Sequence, residues 1–305
     1  ALPFRLRRDL HRRAGEALEA TQGDAAADLL SLHFHRAQDH AKAWEYGVRA
    51  GRRAIERSAN ADAVALLERA LDAARHVPGI SDRSKATVWE KLGDAANFAG
   101  LTDTARRAYR QARRLRRHGD PVAYAQLCRK EARFAERDGS PAAAERWLRE
   151  GVRALEGLTS RRAISARADL WAAYAWLRKQ AGRPEDARRW AQRAIDDGRR
   201  ARDSLTVANG YVLLDGAEIA LGRPSKATHA TRALRIFERR DALADQAVVL
   251  NNLGAHAYHV GRWDEAAKLY GRGRETNVRI GNHVDAGYGS WNIAEILVDE
   301  GRVAE

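Results

Sequence analysis

Leu6, Leu10, Ala14 and Leu18 fall four residues apart in an otherwise charged stretch, which puts them on one face of a helix over about residues 3–20. The same alternation of apolar stripe and polar turn continues along the chain. TQGD at 21–24 breaks the first helix and offers Asp24 as a cap for the next, which runs through LLSLHFHRA. QDH marks a turn. A long helix follows through AWEYGVRAGRRAIERS, Asn60 sits at its far boundary, and DAVALLERALDAAR makes another helix. HVPGISDRS at 76–84 is the longest polar break and reads as a bend between sub-arrays. Beyond it the stripes pair off: 84–99 with 102–117, 121–137 with 141–156, 162–181 with 184–200, 203–221 with 224–239, and 243–260 with 263–280. A last helix at 284–300 has no partner. Abundant alanine and few β-branched runs make the whole chain all-α.

The pairs repeat. Gly100, Gly139, Gly182, Gly222, Gly261 and Gly301 precede short polar turns at steps of 39, 43, 40, 39 and 40 residues. Ala105, Ala144, Ala187, Ala227 and Ala266 each lie five residues after one of them. Pro141, Pro184 and Pro224 fall in the first turn of second helices, where a missing N–H removes no intrahelical bond. Self-similarity at this period signals stacked helical hairpins.

The residue types at these spacings resemble the tetratricopeptide repeat. Trp89, Leu92, Gly93, Ala105, Tyr109 and Ala112 follow its order of aromatic, Leu-Gly, Ala, aromatic, Ala. Leu253, Gly254, Ala266 and Tyr270 match in a later pair, and Trp171, Ala175, Ala187 and Ala194 in another. Small residues let two helix backbones approach while aromatics fill the gap between hairpins. The resemblance implies a right-handed superhelical solenoid of antiparallel helix pairs. The period departs from the usual value of about 34 and is similar to that of longer-helix arrays in bacterial signalling proteins and kinesin light chains. The resemblance covers 84–305 well and 26–78 less closely, because the turn glycines are missing there. Residues 1–78 are expected to join a preceding module to the array through irregular first repeats, and 79–305 to form the regular array. The N-terminal stretch also resembles the junction after an ATPase module in large, actinobacterial-type regulators, which pair a nucleoside-triphosphatase switch with an adenylyl cyclase or a DNA-binding domain. No methionine, a start at Ala1 and an end at GRVAE are read as those of a fragment whose array is truncated at its C-terminus.

The net charge is +13, from 47 arginines and 7 lysines against 41 acids. The cations are spread along the chain and mixed with acids, and the alanine content fits a GC-rich coding bias. Non-specific attraction to polyanions at low salt is expected, specific nucleic-acid binding is not. The single cysteine, Cys128, allows no internal disulfide and suits a reducing compartment. With no 18-residue apolar run and no signal peptide, a cytoplasmic chain without membrane contact is expected.

Catalytic chemistry is hard to assemble. GRPSKAT at 222–228 lacks the second glycine of a phosphate loop and follows a helix, and GYGSWN at 287–292 is a glycine-bearing helix start. His33 and His35 point apart on a helix. His256 and His259 share a face but lack a third ligand. Asp196 and Asp197 diverge, and Glu295 and Asp299 read as a solvated face. Cys128 beside Arg129 and Lys130 is either a lowered-pKa thiol or a small buried residue, with burial preferred. The basic run RRAYRQARRLRRH at 106–118 lies on a second helix and reads as solubility or docking to an acidic neighbour. No enzyme activity, cofactor or metal is expected of this chain.

Binding is the better expectation. In tetratricopeptide arrays first helices line the concave face, and positions there not used in packing are free for a ligand. Those positions hold Arg129, Arg133, Arg137, Trp176, Lys179, Gln180, Asn251, Asn252, His259, Trp291, Asn292 and Glu295. The asparagine amides both donate and accept, as a peptide backbone clamp requires. The arginines form a stripe suited to an acidic side chain or a solvated face. Trp176 and Trp291 are either anchors or interhelical packing. The expected function is a non-catalytic protein- or peptide-binding and sensing arm of a larger signalling protein, with its own ATPase module as one partner. The alternative is a receptor for a small molecule or signalling peptide that controls transcription.

Overall fold

A computed structural model describes residues 3–223 and 228–302, all in helices and short turns with no β-strand among them. Pro224, Ala227 and most of GRPSKAT lie outside the described residues. The chain divides into two compact units, Ala1–Ala154 and Leu155–Glu305. The first holds α1 (Phe4–Gln22), α2 (Ala27–Arg36), α3 (His40–Glu56), α4 (Asn60–Ala73), α5 (Asp82–Phe98), α6 (Thr102–Arg116), α7 (Pro121–Arg137) and α8 (Pro141–Ala154). The second holds α9 (Arg161–Gln180), α10 (Pro184–Arg200), α11 (Ser204–Ala220), α12 (Thr228–Arg239), α13 (Leu243–His259), α14 (Trp263–Arg279) and α15 (His283–Asp299). Within each unit, each helix packs on the next, as expected of stacked hairpins. The polar break at 76–84 joins α4 to α5, which pack on each other inside the first unit.

Local chemistry sets the ends of these helices. Ser81, Asp120, Ser160, Asp203 and Asn282 cap first helices, each accepting the backbone N–H three residues on. The six repeat glycines end them at φ between 67° and 76°, a left-handed turn that costs glycine little. After Gly100, the Leu101 N–H donates back to Ala96 O at 2.8 Å and closes the helix end. In the N-terminal region Ser58 (φ 59°) makes the equivalent turn between α3 and α4, and Gln38 (φ 60°) a left-handed turn between α2 and α3, so the fold persists where the glycine signal is absent. Asp24 does not cap α2. Residues 23–26 form a 3-10 turn, Ala26 stands at the cap without a side-chain bond, and the Asp24 carboxylate accepts from Arg49 Nη1 at 2.5 Å. The cation on α3 outcompetes the backbone for that carboxylate.

Hairpins close where a small residue meets a large one sixteen positions later. A Cβ on Gly93 would lie 2.5 Å from the Tyr109 ring, and one on Gly254 2.8 Å from the Tyr270 ring. Gly51 meets Leu67 at the same separation, so the N-terminal pair α3–α4 shares the device. One buried cluster runs from Ala54 and Leu67 through Leu92 and Tyr109 to Leu127 and Phe134. In the second unit Ala175, Ile195 and Leu214, then Phe237, Leu250 and Leu253, then Ala257, Tyr270 and Ile296 form successive clusters. The apolar stripe of α1 is covered only in part. Gly15 packs on the Phe34 ring, while Leu6 and Leu10 are each 46% exposed.

Histidines give the first unit a pH dependence. His11 Nδ1 lies 3.2 Å from His33 Nδ1, and the His40 and His76 rings stack at 4.3 Å. Partial burial, then the facing histidine, lowers the pKa of both His11 and His40. Arg7 and Arg36 also face His11, while His35, Asp39 and Asp72 surround His40. A histidine whose folded pKa lies below its unfolded value binds more protons when unfolded. The stability it contributes is therefore complete above about pH 6.5 and declines as pH falls below it. The melting temperature of the first unit is expected to fall between pH 7 and pH 5, and the double variant His33→Gln, His76→Gln to flatten that slope in a calorimetric pH series.

Candidate ligand-binding surfaces

First helices within each unit meet side chain to side chain, about one repeat period apart. In the first unit Lys130 Nζ on α7 donates to Glu90 Oε1 at 2.9 Å and Asp94 Oδ1 at 2.6 Å on α5. The Tyr109 hydroxyl donates to the same Asp94 oxygen at 2.6 Å. Arg137 Nη2 donates to Asn97 Oδ1 at 3.0 Å, and its guanidinium lies 4.4 Å from the Phe134 ring centroid. The three stripe arginines therefore differ. Arg137 is engaged, Arg133 is exposed, and Arg129 is half-buried with Nε making no hydrogen bond. The α5 acids neutralise much of the charge on this face, so an incoming acidic group meets Arg133 and the accessible part of Arg129.

In the second unit Asn292 Nδ2 on α15 donates to Asn251 Oδ1 on α13 at 3.1 Å. Around this bond lies a 480 Å³ cavity lined by five asparagines: Asn251, Asn252, Asn277, Asn282 and Asn292. Asn277 is buried at the end of α14, and Asn282 is anchored by capping α15 and by donating to Asp285 Oδ2 at 2.7 Å. Ala244, Ala247, Val248, Ile280, Tyr288 and the carboxylate-bearing Asp285 complete the wall. Val248 is 54% and Tyr288 64% exposed, and Asn251 and Asn252 are exposed beside them, so apolar and amide groups share the rim. The sequence pattern supplied Asn251, Asn252 and Asn292 but not Asn277, Asn282 or Asp285. Asn282 follows a turn glycine and carries the usual cap signal, which hid a second use. Asn277 sits on a second helix, away from the first-helix positions that the repeat marks for a ligand.

The remaining candidates are dispersed. Trp176 on α9 is 41% exposed with Lys179 Nζ 5.6 Å from its ring centroid, and Gly216 on α11 leaves room for that ammonium. Gln180, His259 and Glu295 are exposed, with the His259 ring edge-on to Tyr258. Trp291 is 72% exposed beside Val284 and Tyr288, so it fills no interhelical gap among the described residues.

Other groups that drew notice in the sequence find structural roles. Burial pushes the Cys128 thiol up to about 12, so it stays protonated and inert. Asp197 is buried and accepts from Arg167 Nε at 2.8 Å and Trp171 Nε1 at 3.1 Å, while its neighbour Asp196 is exposed. Four of the seven arginines in the basic run at 106–118 are engaged within the unit. Arg106 pairs with Asp138, Arg107 with Glu68 at 2.9 Å, and Arg113 lies 4.4 Å from the Trp147 ring centroid. Arg116, at 7% exposure, donates to Thr87 Oγ1 at 2.7 Å. Among the described residues no group of three or more His, Cys, Asp or Glu side chains is placed to hold a metal ion, and no helix is long and apolar enough to cross a membrane.

No protein-family model and no curated protein matches the sequence. Solved structures do match. A Signal Transduction ATPase with Numerous Domains carrying a tetratricopeptide repeat sensor, from Pyrococcus horikoshii, aligns with a TM-score of 0.59 at 12% identity over 96% of this chain. The chain spans 43% of that protein's length. The Rap conjugation gene regulator of plasmid pLS20, in complex with the Phr* peptide, aligns with a TM-score of 0.58 at 13% identity over 97% of both chains. Aspartyl phosphate phosphatase F from Bacillus subtilis aligns with a TM-score of 0.59 at 10% identity over all of this chain and 83% of its own. At these identities the likeness is one of fold: this chain is a tetratricopeptide-type helical array.

Proposed function

We propose that the chain is a non-catalytic arm that binds a protein segment or peptide along its first helices, with the asparagine-lined groove of α13–α15 as the principal site. The observation that carries this reading is the convergence of five primary amides, with the Asp285 carboxylate, on one cavity edged by exposed apolar side chains. A peptide backbone presents one donor and one acceptor per residue, and asparagine meets both without adding charge. The Asn251–Asn292 bond holds two of these amides one repeat apart. On the first unit, Arg133 and Arg129 offer a separate contact for an acidic group.

The similarity to an ATPase with a tetratricopeptide sensor supports a place for this arm in a larger nucleotide-switched regulator. There it would act by differential binding: a ligand favouring one arrangement of the repeats shifts the population toward it. The similarity over 97% of both chains to a regulator in complex with the Phr* peptide favours a diffusible signalling peptide as ligand. A cytoplasmic location and a docking contact with the protein's own ATPase module belong to the same proposal.

The test is a selection of 12-residue peptides displayed on phage against the purified chain. Titration of the recovered peptides follows, on wild type and on the double variant Asn251→Ala, Asn292→Ala. Each lost hydrogen bond is worth about 1 kcal/mol, so affinity is expected to drop about tenfold or more with folding unchanged. Equal affinity in the double variant removes the asparagine groove as the site.

A further inference from the structure

In the first unit α4 and α6 both pack on α5, and between them lies a groove of 710 Å³ with a helical wall on each side. Leu71 from α4, Trp89 from α5 and Leu115 from α6 are its apolar contacts. Leu71 is buried, whereas Trp89 and Leu115 are half-buried and border the open space. Trp89 packs on one side against the cluster that runs from Ala54 to Phe134. Its indole N–H makes no hydrogen bond among the described residues and is left to donate into the groove.

Seven charged side chains share the groove, and their pairing leaves cations over. Glu68 is taken by Arg107 at 2.9 Å, a bond that joins the two walls. Asp72 is taken by His35 at 3.0 Å and lies 3.9 Å from Arg75. Asp82 stands in the first turn of α5, where the helix N-terminus stabilises a negative charge. Lys85 and Arg114 have no ion pair among the described residues. Arg114 also belongs to a row. Arg110, Arg114 and Arg117 follow one another at helical spacing, all are exposed, and none has an ion pair among the described residues. These are the arginines of the 106–118 run that the unit itself leaves unengaged.

We infer that the α4–α6 groove docks an acidic segment of a partner protein, which lays a large apolar side chain against Trp89 and sets carboxylates beside it for Lys85 and Arg114. Charge complementarity selects this occupant. A second copy of the chain, at a net charge of +13, would be repelled. A nucleic-acid backbone carries a phosphate at every step and would meet Glu68, Asp72 and Asp82 in the same groove. A protein segment can place its carboxylates opposite the two free cations and neutral groups opposite the acids. The groove shares no residue with the asparagine groove, so it adds a partner to the arm and does not depend on the peptide site.

The experiment selects phage-displayed peptides on wild type after depleting the library on the double variant Lys85→Gln, Arg114→Gln. Both side chains lack an ion pair in the chain, so the variant is expected to keep its circular dichroism and melting temperature. The recovered peptides are expected to carry Asp or Glu next to a Trp, Phe or Leu. Replacing either kind of residue by alanine should weaken binding about tenfold or more at physiological salt. Binding should fall at least as far on Lys85→Gln, Arg114→Gln. It should persist on Asn251→Ala, Asn292→Ala and on the charge-matched control Arg232→Gln, Arg235→Gln, whose cations lie on α12. Recovery of no peptide, or of peptides without that acidic and apolar pattern, overturns the inference. Equal weakening on the α12 control reduces the effect to the overall charge of the chain and also overturns it. Loss of binding on Asn251→Ala, Asn292→Ala places the peptides in the asparagine groove and overturns it while leaving that groove standing. Duplex DNA that binds through Lys85 and Arg114 at physiological salt makes the groove a nucleic-acid surface and overturns it as well.

Discussion

Gly93→Ala is expected to destabilise the first unit by about 3 kcal/mol, at the upper end of overpacking costs. The new methyl would lie 2.5 Å from the Tyr109 ring, and that ring has nowhere to go. Tyr109 is 3% exposed, its hydroxyl is bound to Asp94, Phe134 lies 5.7 Å away and Lys130 sits 5.1 Å from its centroid. Accommodation requires α5 and α6 to separate, which reopens the cluster running from Leu67 to Phe134. The control has the opposite sign. Gly271 lies inside α14, and a methyl added there would meet nothing within 4 Å, so Gly271→Ala is expected to stabilise the second unit by about 0.5–1 kcal/mol through helix propensity. Calorimetric melting of the two variants decides the matter. A Gly93→Ala chain that melts like wild type would mean that the hairpin is not closed by the Gly93–Tyr109 contact.

Asp197→Ala is expected to cost the second unit about 3 kcal/mol. Its carboxylate is 8% exposed and accepts from Arg167 Nε, from the Trp171 indole N–H, and from Arg200 Nη1 at 3.3 Å. Removing it leaves the Arg167 guanidinium and the indole N–H of Trp171 without that acceptor beneath the α9–α10 hairpin. Asp197→Asn keeps an acceptor oxygen but loses the charge, and a cost of about half as much is expected. Urea unfolding followed by tryptophan fluorescence reads both, because Trp171 stacks on Trp190 at 5.0 Å beside the substituted residue. Equal stability of Asp197→Ala and wild type would show that the carboxylate adds nothing to the hairpin.

The arrangement of helices was legible because repetition amplifies weak local signals. One glycine before a polar turn says little, but six at nearly equal steps fix hairpin boundaries that the structure matches within a few residues. Where the signal thinned, in the first 78 residues, Gln38 and Ser58 adopt the turn that glycine makes elsewhere, and Gly51 against Leu67 closes the hairpin as Gly93 and Gly254 do. A side chain can occupy a left-handed turn at a cost of about 1 kcal/mol, so its sequence need not announce it.

Spacing along single elements was enough to make the chain all-helical, to place its hairpin ends, and to assign amides, cations and indoles to faces of first helices. Which of those residues meet depended on the packing of one helix against another. Asn251 and Asn292 come together across 41 residues, Asn277 joins them from a second helix, and Asn282 serves as both cap and wall. It also separated Arg137 and Lys130, engaged with α5, from Arg133, and Asp197 from Asp196. The reason is physical: periodicity says which way a side chain points on its own helix, whereas its partners and its exposure depend on what the neighbouring helix presents at the same height.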